Sequence, residues 1–322
     1  MVEKSEEAQK DVFDELKKKG IPVGARSPIR EYVSTGVVAL DWAISSKLKE
    51  GGLPVGRVIE IFGDPSTGKS LLLLHIIKSA QQMGAICLLD DAEESFDEGF
   101  AQRIGVDLGT LTRKNSKTVE EHFTEVAEFV NLARGIDKKR LIVIALDSIA
   151  ILSTKHEVQV GFEKPDMTKA KLIRQGMRVM RGEFSEQRVL YLVCNHVIAS
   201  FNTYGRDKTT PGGGGVPFQS SIRIELSIKN LIKNEKNQIQ GVGVKAVVVK
   251  NKIAPPFKSC LFQVSFEKGV DRFSGFFDVL VDIGCVQEKG AGWYIYKEKT
   301  VRRTDIEKDI ENIYGNLETD GQ

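Results

Sequence analysis

The sequence predicts an α/β fold built on a mostly parallel central sheet, with helices on both faces and an antiparallel edge. A glycine-rich loop at 63–70 lies between an apolar strand and an apolar helix, as in strand–loop–helix units. Later apolar runs at 85–90 and 141–147 lead into acidic residues, as expected for buried parallel strands. Alternation over 222–226 and a further strand pattern over 259–266 predict antiparallel strands with one exposed face. We expect an N-terminal helical arm and a small C-terminal α+β lobe around this core.

The chain divides into three predicted segments: 1–33, 34–268 and 269–322. Residues 2–19 have a charge-rich helical pattern with a thin apolar stripe, followed by an extended connector that contains proline. We interpret 1–33 as an oligomerisation arm and 34–268 as the main domain. The last segment predicts a helix at 276–283, a hairpin at 292–301 and a charged helix at 305–314.

Composition narrows the class of protein. The 322 residues are 41% hydrophobic and 28% charged, with a net charge of +2, so a nucleic-acid surface would be a local patch. The N-terminus is charged, which argues against a signal peptide, and no apolar run predicts a membrane span. Scattered cysteines, of which Cys87, Cys194 and Cys260 lie in apolar runs, predict buried free thiols in the cytoplasm and no zinc site.

The glycine-rich loop carries the first functional prediction. It fits G-x-x-x-x-G-K-[ST] over eight residues: Gly63, Asp64, Pro65, Ser66, Thr67, Gly68, Lys69 and Ser70. Backbone N–H groups and a helix N-terminus would cradle the phosphates of ATP. Lys69 is expected to bridge the β and γ phosphates, and Ser70 to bind Mg²⁺. The alternative is a glycine-rich turn that matches by chance, which the flanking strand and helix argue against.

Acidic residues follow the next two strands of the predicted sheet. Glu93 comes just after the strand at 85–90, and Asp147 ends the strand at 141–147. Catalytic groups belong at this edge of an open α/β sheet, and Asp147 is suited to organising Mg²⁺. We expect Ser148 to orient Asp147. The alternative for Glu93 and Asp97 is that each complements the dipole at a helix start.

A third set of features predicts capture of a polymer. Residues 157–168 are expected to form a mobile loop, and residues 197–215 a second one that ends in four glycines. Three basic side chains of the intervening helix lie at i, i+3 and i+7: Lys171, Arg174 and Arg178. They predict a stripe for a phosphate backbone, although a solvated helix face would show the same pattern.

Several blocks of this sequence resemble the RecA recombinase family. They are the phosphate loop, Gly-Gly-Leu-Pro-Val-Gly-Arg at 51–57, Asp-Ala-Glu at 91–93, Leu-Asp-Ser at 146–148, Val-Lys-Asn-Lys-Ile-Ala-Pro-Pro-Phe-Lys at 249–258, and Gly-Ala-Gly-Trp-Tyr at 290–294. The resemblance extends from about 34 to 296 and implies a RecA-like ATPase core. The block at 249–258 is its most specific part, because a generic ATPase has no need of it.

The resemblance implies roles for residues around the nucleotide. Glu93 matches the general base and Asp147 the second acid that arranges Mg²⁺. Asp97 and Phe100 match positions beside the adenine, and Phe266 one that closes over the base from the other side.

Other matches concern the γ-phosphate and the neighbouring subunit. His196 stands in a pair that senses the γ-phosphate, where bacterial members carry Gln, and is more similar to the phage UvsX-type branch. Lys250 and Lys252 match lysines that reach the nucleotide of the adjacent subunit. Phe218 matches an aromatic that packs against that subunit. The mildly acidic end at 317–320 implies that the long acidic tail of many bacterial members is missing.

For DNA, the resemblance implies contacts from the basic helix and from the backbone N–H groups of Gly212 and Gly213. The expected function is ATP-dependent recombination. The protein would polymerise on single-stranded DNA, pair it with double-stranded DNA and hydrolyse ATP when DNA is bound. Single-strand-binding and mediator proteins are candidate partners, in a bacterial cell or a phage-infected host.

Two alternatives stay open at this point. A small-metabolite kinase with a phosphate loop would need a substrate lid and would ignore DNA. A non-catalytic relative that regulates another recombinase would not need intact Glu93 and Lys69.

Overall fold

The computed structural model describes residues 14–16, 18–19, 31–161, 168–199, 208–211 and 213–317. The chain forms two units, Met1–Glu31 and Tyr32–Gln322. In the first unit, residues 14–16 and 18 are helical and the Lys19 N–H donates to the Glu15 carbonyl. The rest of the predicted arm helix lies outside the described residues. The segment boundaries at 33 and 268 remain predictions.

Strands and helices alternate in the first part of the second unit, whereas its later part contains runs of consecutive strands. The strands are β1 Tyr32–Val33, β2 Leu53–Pro54, β3 Val58–Gly63, β4 Ile86–Asp91, β5 Leu111–Lys114, β6 Ile142–Asp147, β7 Val189–His196, β8 Ile198–Ala199, β9 Lys208–Thr209, β10 Ile222–Lys233, β11 Ile239–Asn251, β12 Ser259–Ser265, β13 Gly269–Val270, β14 Gln287–Gly290, β15 Trp293–Tyr296 and β16 Lys299–Arg302. The helices are α1 Val38–Ser45, α2 Lys69–Gln82, α3 Glu98–Arg103, α4 Val119–Ile136, α5 Lys155–Val160, α6 Lys169–Glu186, α7 Gly215–Gln219, α8 Phe276–Asp282, α9 Arg303–Lys308 and α10 Ile310–Asn316.

The described residues form a nine-stranded central sheet in the order β13-β12-β11-β10-β3-β7-β6-β4-β5. Strands from β10 to β5 run parallel, and β10 to β13 pair antiparallel. The predicted α/β fold with an antiparallel edge is therefore confirmed. Parallel strands place their carboxyl ends together, so the ends of β3, β4, β6 and β7 share one edge.

Helices bury both faces of this sheet, which explains why its central strands are mostly apolar. Ile59 and Ile61 belong to the core formed with α1, α2 and α8. Val58 faces the opposite core, formed with α4 and α6. The sheet is thereby fixed from both sides, and the functional residues project from its carboxyl edge. No helix in the described residues is long and apolar enough to cross a membrane.

The structure corrects several predicted elements. β10 extends well beyond the predicted 222–226, because its outer half satisfies its backbone hydrogen bonds by pairing with β11. The predicted first loop is wrong at its start, since α5 covers 155–160 and begins at a capping box between Thr154 and Glu157. Residues 162–167 lie outside the described part of the chain. α3 and β5 were not predicted.

The C-terminal lobe is more regular than expected. α8 confirms the predicted helix, while the predicted hairpin is two strands of a three-stranded sheet because β14 also pairs with β15. The charged helix is two helices, α9 and α10. Its apolar residues Ile306, Ile310 and Ile313 join the core that contains α1. Cys87 and Cys194 are buried as predicted, whereas Cys260 is only partly buried.

Candidate functional site

The phosphate loop connects β3 to α2 in the predicted strand–loop–helix arrangement. Gly68 caps α2 with a left-handed φ of 86°, which favours glycine. Gly63 is required by space, since a Cβ there would lie 2.3 Å from the Leu226 carbonyl oxygen. The Lys69 Nζ donates to the carbonyls of Gly63 and Asp64, at 3.2 and 3.0 Å. The loop thus folds around its own lysine, which is buried.

Ser70 and Asp147 meet beside the loop. The Ser70 hydroxyl donates to the Asp147 side chain, which is buried at the end of β6. Burial raises the pKa of Asp147, and the charges of Glu93 and Asp91 raise it further against the opposing Ser70 hydrogen bond. A divalent cation would relieve this repulsion, so the hydroxyl–carboxylate pair suits Mg²⁺.

Glu93 lies next to this pair, at the carboxyl edge of the sheet. Its Oε1 accepts hydrogen bonds from the Ser148 hydroxyl at 2.5 Å and from His196 Nε2 at 2.8 Å. Burial by itself raises the pKa of Glu93, but the Ser148 and His196 hydrogen bonds bring the pKa below its ordinary value. The prediction that Ser148 orients Asp147 is therefore wrong, because its hydroxyl reaches Glu93. Glu93 is not at a helix start.

A pocket of about 220 Å³ adjoins Ser70 and Asp147 and is large enough for a nucleobase. Leu71, Phe96, Asp97 and Phe100 are among its lining residues. Asp97 also caps α3, since its Oδ1 accepts the Phe100 N–H at 2.8 Å, so the helix-start alternative is observed as well. Phe266 does not line this pocket and is more than half exposed.

Residues predicted to face the neighbouring subunit lie around the end of β11. The Lys250 Nζ donates to the carbonyls of Pro217 and Phe218, at 2.6 and 3.2 Å. Burial lowers the pKa of Lys250, and the charge of Lys252 lowers it further. The Phe218 side chain is 76% exposed, and Lys252 is exposed as well. This end of β11 therefore presents two lysines and an uncovered aromatic ring.

The basic helix α6 presents Lys171, Arg174 and Arg178 to solvent, opposite its buried Ile173 and Met177. The end of the second loop packs on this helix. A Cβ at Gly213 would lie 3.3 Å from Ala170, and one at Gly215 would lie 3.1 Å from the Arg174 backbone nitrogen. The glycines thus let the end of the loop approach the backbone of α6 closely. Gly212 lies outside the described residues.

Two buried polar networks escaped sequence reasoning. In one, Glu60 on β3 accepts hydrogen bonds from Asn195 and Arg223. In the other, Asp90 on β4 is bonded to His122 of α4. For Glu60 the available signal was a lone carboxylate within an otherwise apolar strand, and for Asp90 it was the carboxylate that directly follows the apolar run of β4, since a buried charge requires a partner.

The sequence of the chain is also similar to known proteins. A model of the RecA N-terminal domain matches residues 18–271, which include the phosphate loop and Glu93, Asp147, His196 and Lys250. The chain belongs to the RecA family. Protein RecA of Heliobacterium modesticaldum is 35% identical over 270 residues, covering 83% of this chain and 74% of the relative. Protein RecA of Chloroflexus aurantiacus is 34% identical over 272 residues, covering 84% and 74%, respectively.

Protein RecA of a Methylobacterium species is 35% identical over 269 residues, covering 83% of this chain and 70% of the relative. The family assignment confirms the resemblance seen in the sequence. As a member of the RecA family, the chain is a DNA recombination and repair protein and a DNA-dependent ATPase. Members of the family bind nucleotide and DNA and form filaments.

Proposed function

We propose that this protein binds ATP and Mg²⁺ at the junction between adjacent subunits of a filament on single-stranded DNA. One subunit supplies the phosphate loop, with Lys69 on the β and γ phosphates, together with Asp147 and Glu93. The next subunit supplies Lys250 and Lys252. The observation that carries this proposal is that the two sets of residues lie at two separate places on one chain. Glu93 is held by His196 at the carboxyl edge of the sheet, whereas Lys250 lies at the end of β11 and donates to the carbonyl of Phe218, whose ring is exposed.

Glu93 is the proposed general base, which accepts a proton from the attacking water. Its lowered pKa keeps it ionised at neutral pH, as a base must be. Bound Mg²⁺, held by Ser70 and Asp147, would neutralise phosphate charge. Lys69 and, from the neighbour, Lys250 and Lys252 would stabilise the charge that develops on the phosphoryl oxygens.

The nucleobase is assigned to the pocket beside Phe100 and Asp97. Phe100 offers an aromatic ring to the base, and the second oxygen of Asp97 can accept from an amino group. Phe266, which is exposed after β12, would close over the base from the other side.

DNA is assigned to the α6 face and to the end of the second loop. Lys171, Arg174 and Arg178 would contact phosphates, as would the backbone N–H groups of Gly212 and Gly213. Backbone contacts do not read sequence, so the bases stay free for pairing during strand exchange with double-stranded DNA. Single-strand-binding and mediator proteins are proposed as further partners.

One residue, His196, bears on the subtype of the protein and on where it acts. His196 at the sensor position favours a phage UvsX-type member, which would act in the cytoplasm of an infected bacterium. A bacterial member would act in the cytoplasm of its own cell.

We also propose that the chain has three segments. Residues 1–33 form an oligomerisation arm, 34–268 the ATPase core and 269–322 a small C-terminal domain.

Complementation between two inactive variants tests the shared site. Glu93→Gln and Lys250→Ala should each lower DNA-stimulated ATPase by about a hundredfold. In an equal mixture, about a quarter of the junctions would join an intact Glu93 to an intact Lys250, so about a quarter of parental activity should return.

The matched control mixes Glu93→Gln with Lys69→Ala. Both residues belong to the same side of the junction, so no activity should return. Recovery in this control, or none in the first mixture when filaments have formed, would show that the site is not shared as proposed.

A further inference from the structure

Glu60 lies on β3, next to β10, the strand at which the parallel and antiparallel parts of the sheet meet. It is fully buried, and each oxygen of its carboxylate has a partner. Oε1 accepts from Asn195 Nδ2 at 3.0 Å, and Oε2 accepts from Arg223 Nε at 2.5 Å. The Arg223 guanidinium also lies 4.5 Å from the ring centre of Phe62. A buried carboxylate with two matched donors imposes one orientation on both.

Asn195 is the residue whose freedom this arrangement removes. Its Nδ2 donates to Glu60 and also to the Pro211 carbonyl at 3.3 Å. Its Oδ1 accepts the backbone N–H of His196 at 3.0 Å. Both N–H groups of the amide and one acceptor site are therefore used within the protein. Asn195 connects the end of the second loop to the residue that contacts Glu93.

Arg223 carries the same network towards the face assigned to the neighbouring subunit. It pairs in register with Glu60 on β3 and with Lys250 on β11. The positive charge of Arg223 disfavours protonation of Lys250, and the negative charge of Glu60 offsets this effect. Glu60 thus contacts the sensor strand directly at Asn195, reaches the second loop through Asn195, and acts electrostatically on Lys250.

We propose that Glu60 is a positioning residue for DNA-stimulated ATP hydrolysis. By fixing the Asn195 amide, it ties the second loop at Pro211 to the backbone of His196, and hence to the Glu93–His196 contact. DNA held by the second loop would act on the general base through this connection. The inference rests on the proposed function, because it takes Glu93 as the base and the second loop as a DNA contact.

The experiment compares steady-state ATPase rates with and without a poly(dT) oligonucleotide. In Glu60→Gln, an NH₂ group replaces one carboxylate oxygen and faces a hydrogen-bond donor. The Asn195 amide is then no longer fixed. We expect the DNA-stimulated kcat to fall about tenfold, whereas the basal rate and the KM for ATP stay within about twofold. Arg223→Lys keeps a cation on Glu60 and should retain most of the stimulation.

A second variant guards against misfolding of Glu60→Gln. Asn195→Ser removes the link to Pro211 but leaves the Glu60–Arg223 ion pair in place, and it should also lose stimulation by DNA. The matched control is Glu98→Gln, which removes an exposed ion pair with Arg113 (2.7 Å) and should behave as the parent. Melting temperatures identify any variant that has lost its fold.

Two results would overturn the inference. One is parental stimulation in Asn195→Ser or in folded Glu60→Gln. The other is an equal loss of basal and stimulated rates in folded Glu60→Gln. The proposed function fails on a different observation, namely parental hydrolysis by Glu93→Gln, so the two failures can be told apart.

Discussion

His196 Nε2 lies 2.8 Å from Oε1 of Glu93, although 103 residues separate the two in sequence. The same oxygen accepts the Ser148 hydroxyl. The proposed base and the proposed γ-phosphate sensor are therefore in direct contact. A change in the position of His196 must change the hydrogen bonding of Glu93. Binding of the γ-phosphate by His196 would therefore act directly on the proposed general base.

Replacing His196 tests that contact. His196→Ala should lower the DNA-stimulated kcat by at least about tenfold, because Glu93 loses a donor that holds it. His196→Gln keeps an N–H donor at similar reach and should retain a large part of the rate. Steady-state ATPase with saturating oligonucleotide measures both. Equal rates for the alanine and glutamine variants would show that the hydrogen bond is not what matters.

Removing the other donor should change the pH dependence of hydrolysis. The Ser148 hydrogen bond helps to lower the pKa of Glu93 against the effect of burial. If Glu93 is the general base, as proposed, it acts as a carboxylate, so Ser148→Ala should raise its pKa and move the acid limb of kcat/KM to higher pH. A pH–rate profile of parent and variant is the measurement. An acid limb that stays in place, or moves to lower pH, would contradict the assignment.

His75 on α2 predicts a loss of stability in mild acid. Its Nε2 accepts the Val270 N–H at 3.0 Å, and burial, aided by the charge of Lys78, lowers its pKa to about 4. The unfolded chain takes up the proton near pH 6.5, so acid favours unfolding through the window from 6.5 down to 4. Between pH 7 and pH 5 the loss is about 2 kcal/mol from this group.

The matched variant is His75→Gln, whose carbonyl can accept the same N–H without titrating. Urea unfolding at pH 7 and pH 5 should show a smaller loss for this variant than for the parent. If both chains lose the same free energy of unfolding, His75 is not the group responsible.

The α6 face predicts a salt-dependent effect on DNA binding. Lys171→Ala or Arg178→Ala should weaken binding to single-stranded DNA equally across sequences and reduce the slope of log K against log salt by about 0.7. Fluorescence anisotropy at several salt concentrations measures both quantities. Lys138→Ala, at an exposed position outside α6, is the control and should keep the parental slope. An unchanged slope for both α6 variants would remove this helix from the DNA contacts.

The buried network around Asp90 predicts a large effect on stability. His122 Nδ1 lies 2.5 Å from Asp90 Oδ2, and its Nε2 lies 2.7 Å from the Tyr191 hydroxyl. His122→Ala would leave a buried carboxylate without its main partner and should cost about 3 kcal/mol or more. Tyr191→Phe removes only a hydroxyl and should cost about 1–2 kcal/mol. Urea unfolding of both variants checks the order, and a reversed order would contradict it.

Much of the fold and part of the site followed from local sequence. The phosphate loop was recognisable because its chemistry is contained in eight consecutive residues between a strand and a helix. Asp147 was recognisable because it ends an apolar strand. The helix α6 was predicted from the spacing of its basic residues, which is also a local property.

The local sequence could not predict the hydrogen-bond partner of each polar group. Ser148 was assigned to its neighbour Asp147, but strand order brings it to Glu93. Glu60 was read as part of an apolar strand, since Asn195 and Arg223 lie far along the chain. The length of β10 was missed because its outer half pairs with β11, so exposed polar residues there gave no strand signal.

The sequence by itself therefore determined the class of fold, the nucleotide loop and the family, because each depends on residues close together in the chain or on blocks with a fixed spacing. The tertiary structure alone decided which side chains meet at the carboxyl edge. The order of parallel strands sets those contacts, and that order depends on how distant segments pack against two separate cores.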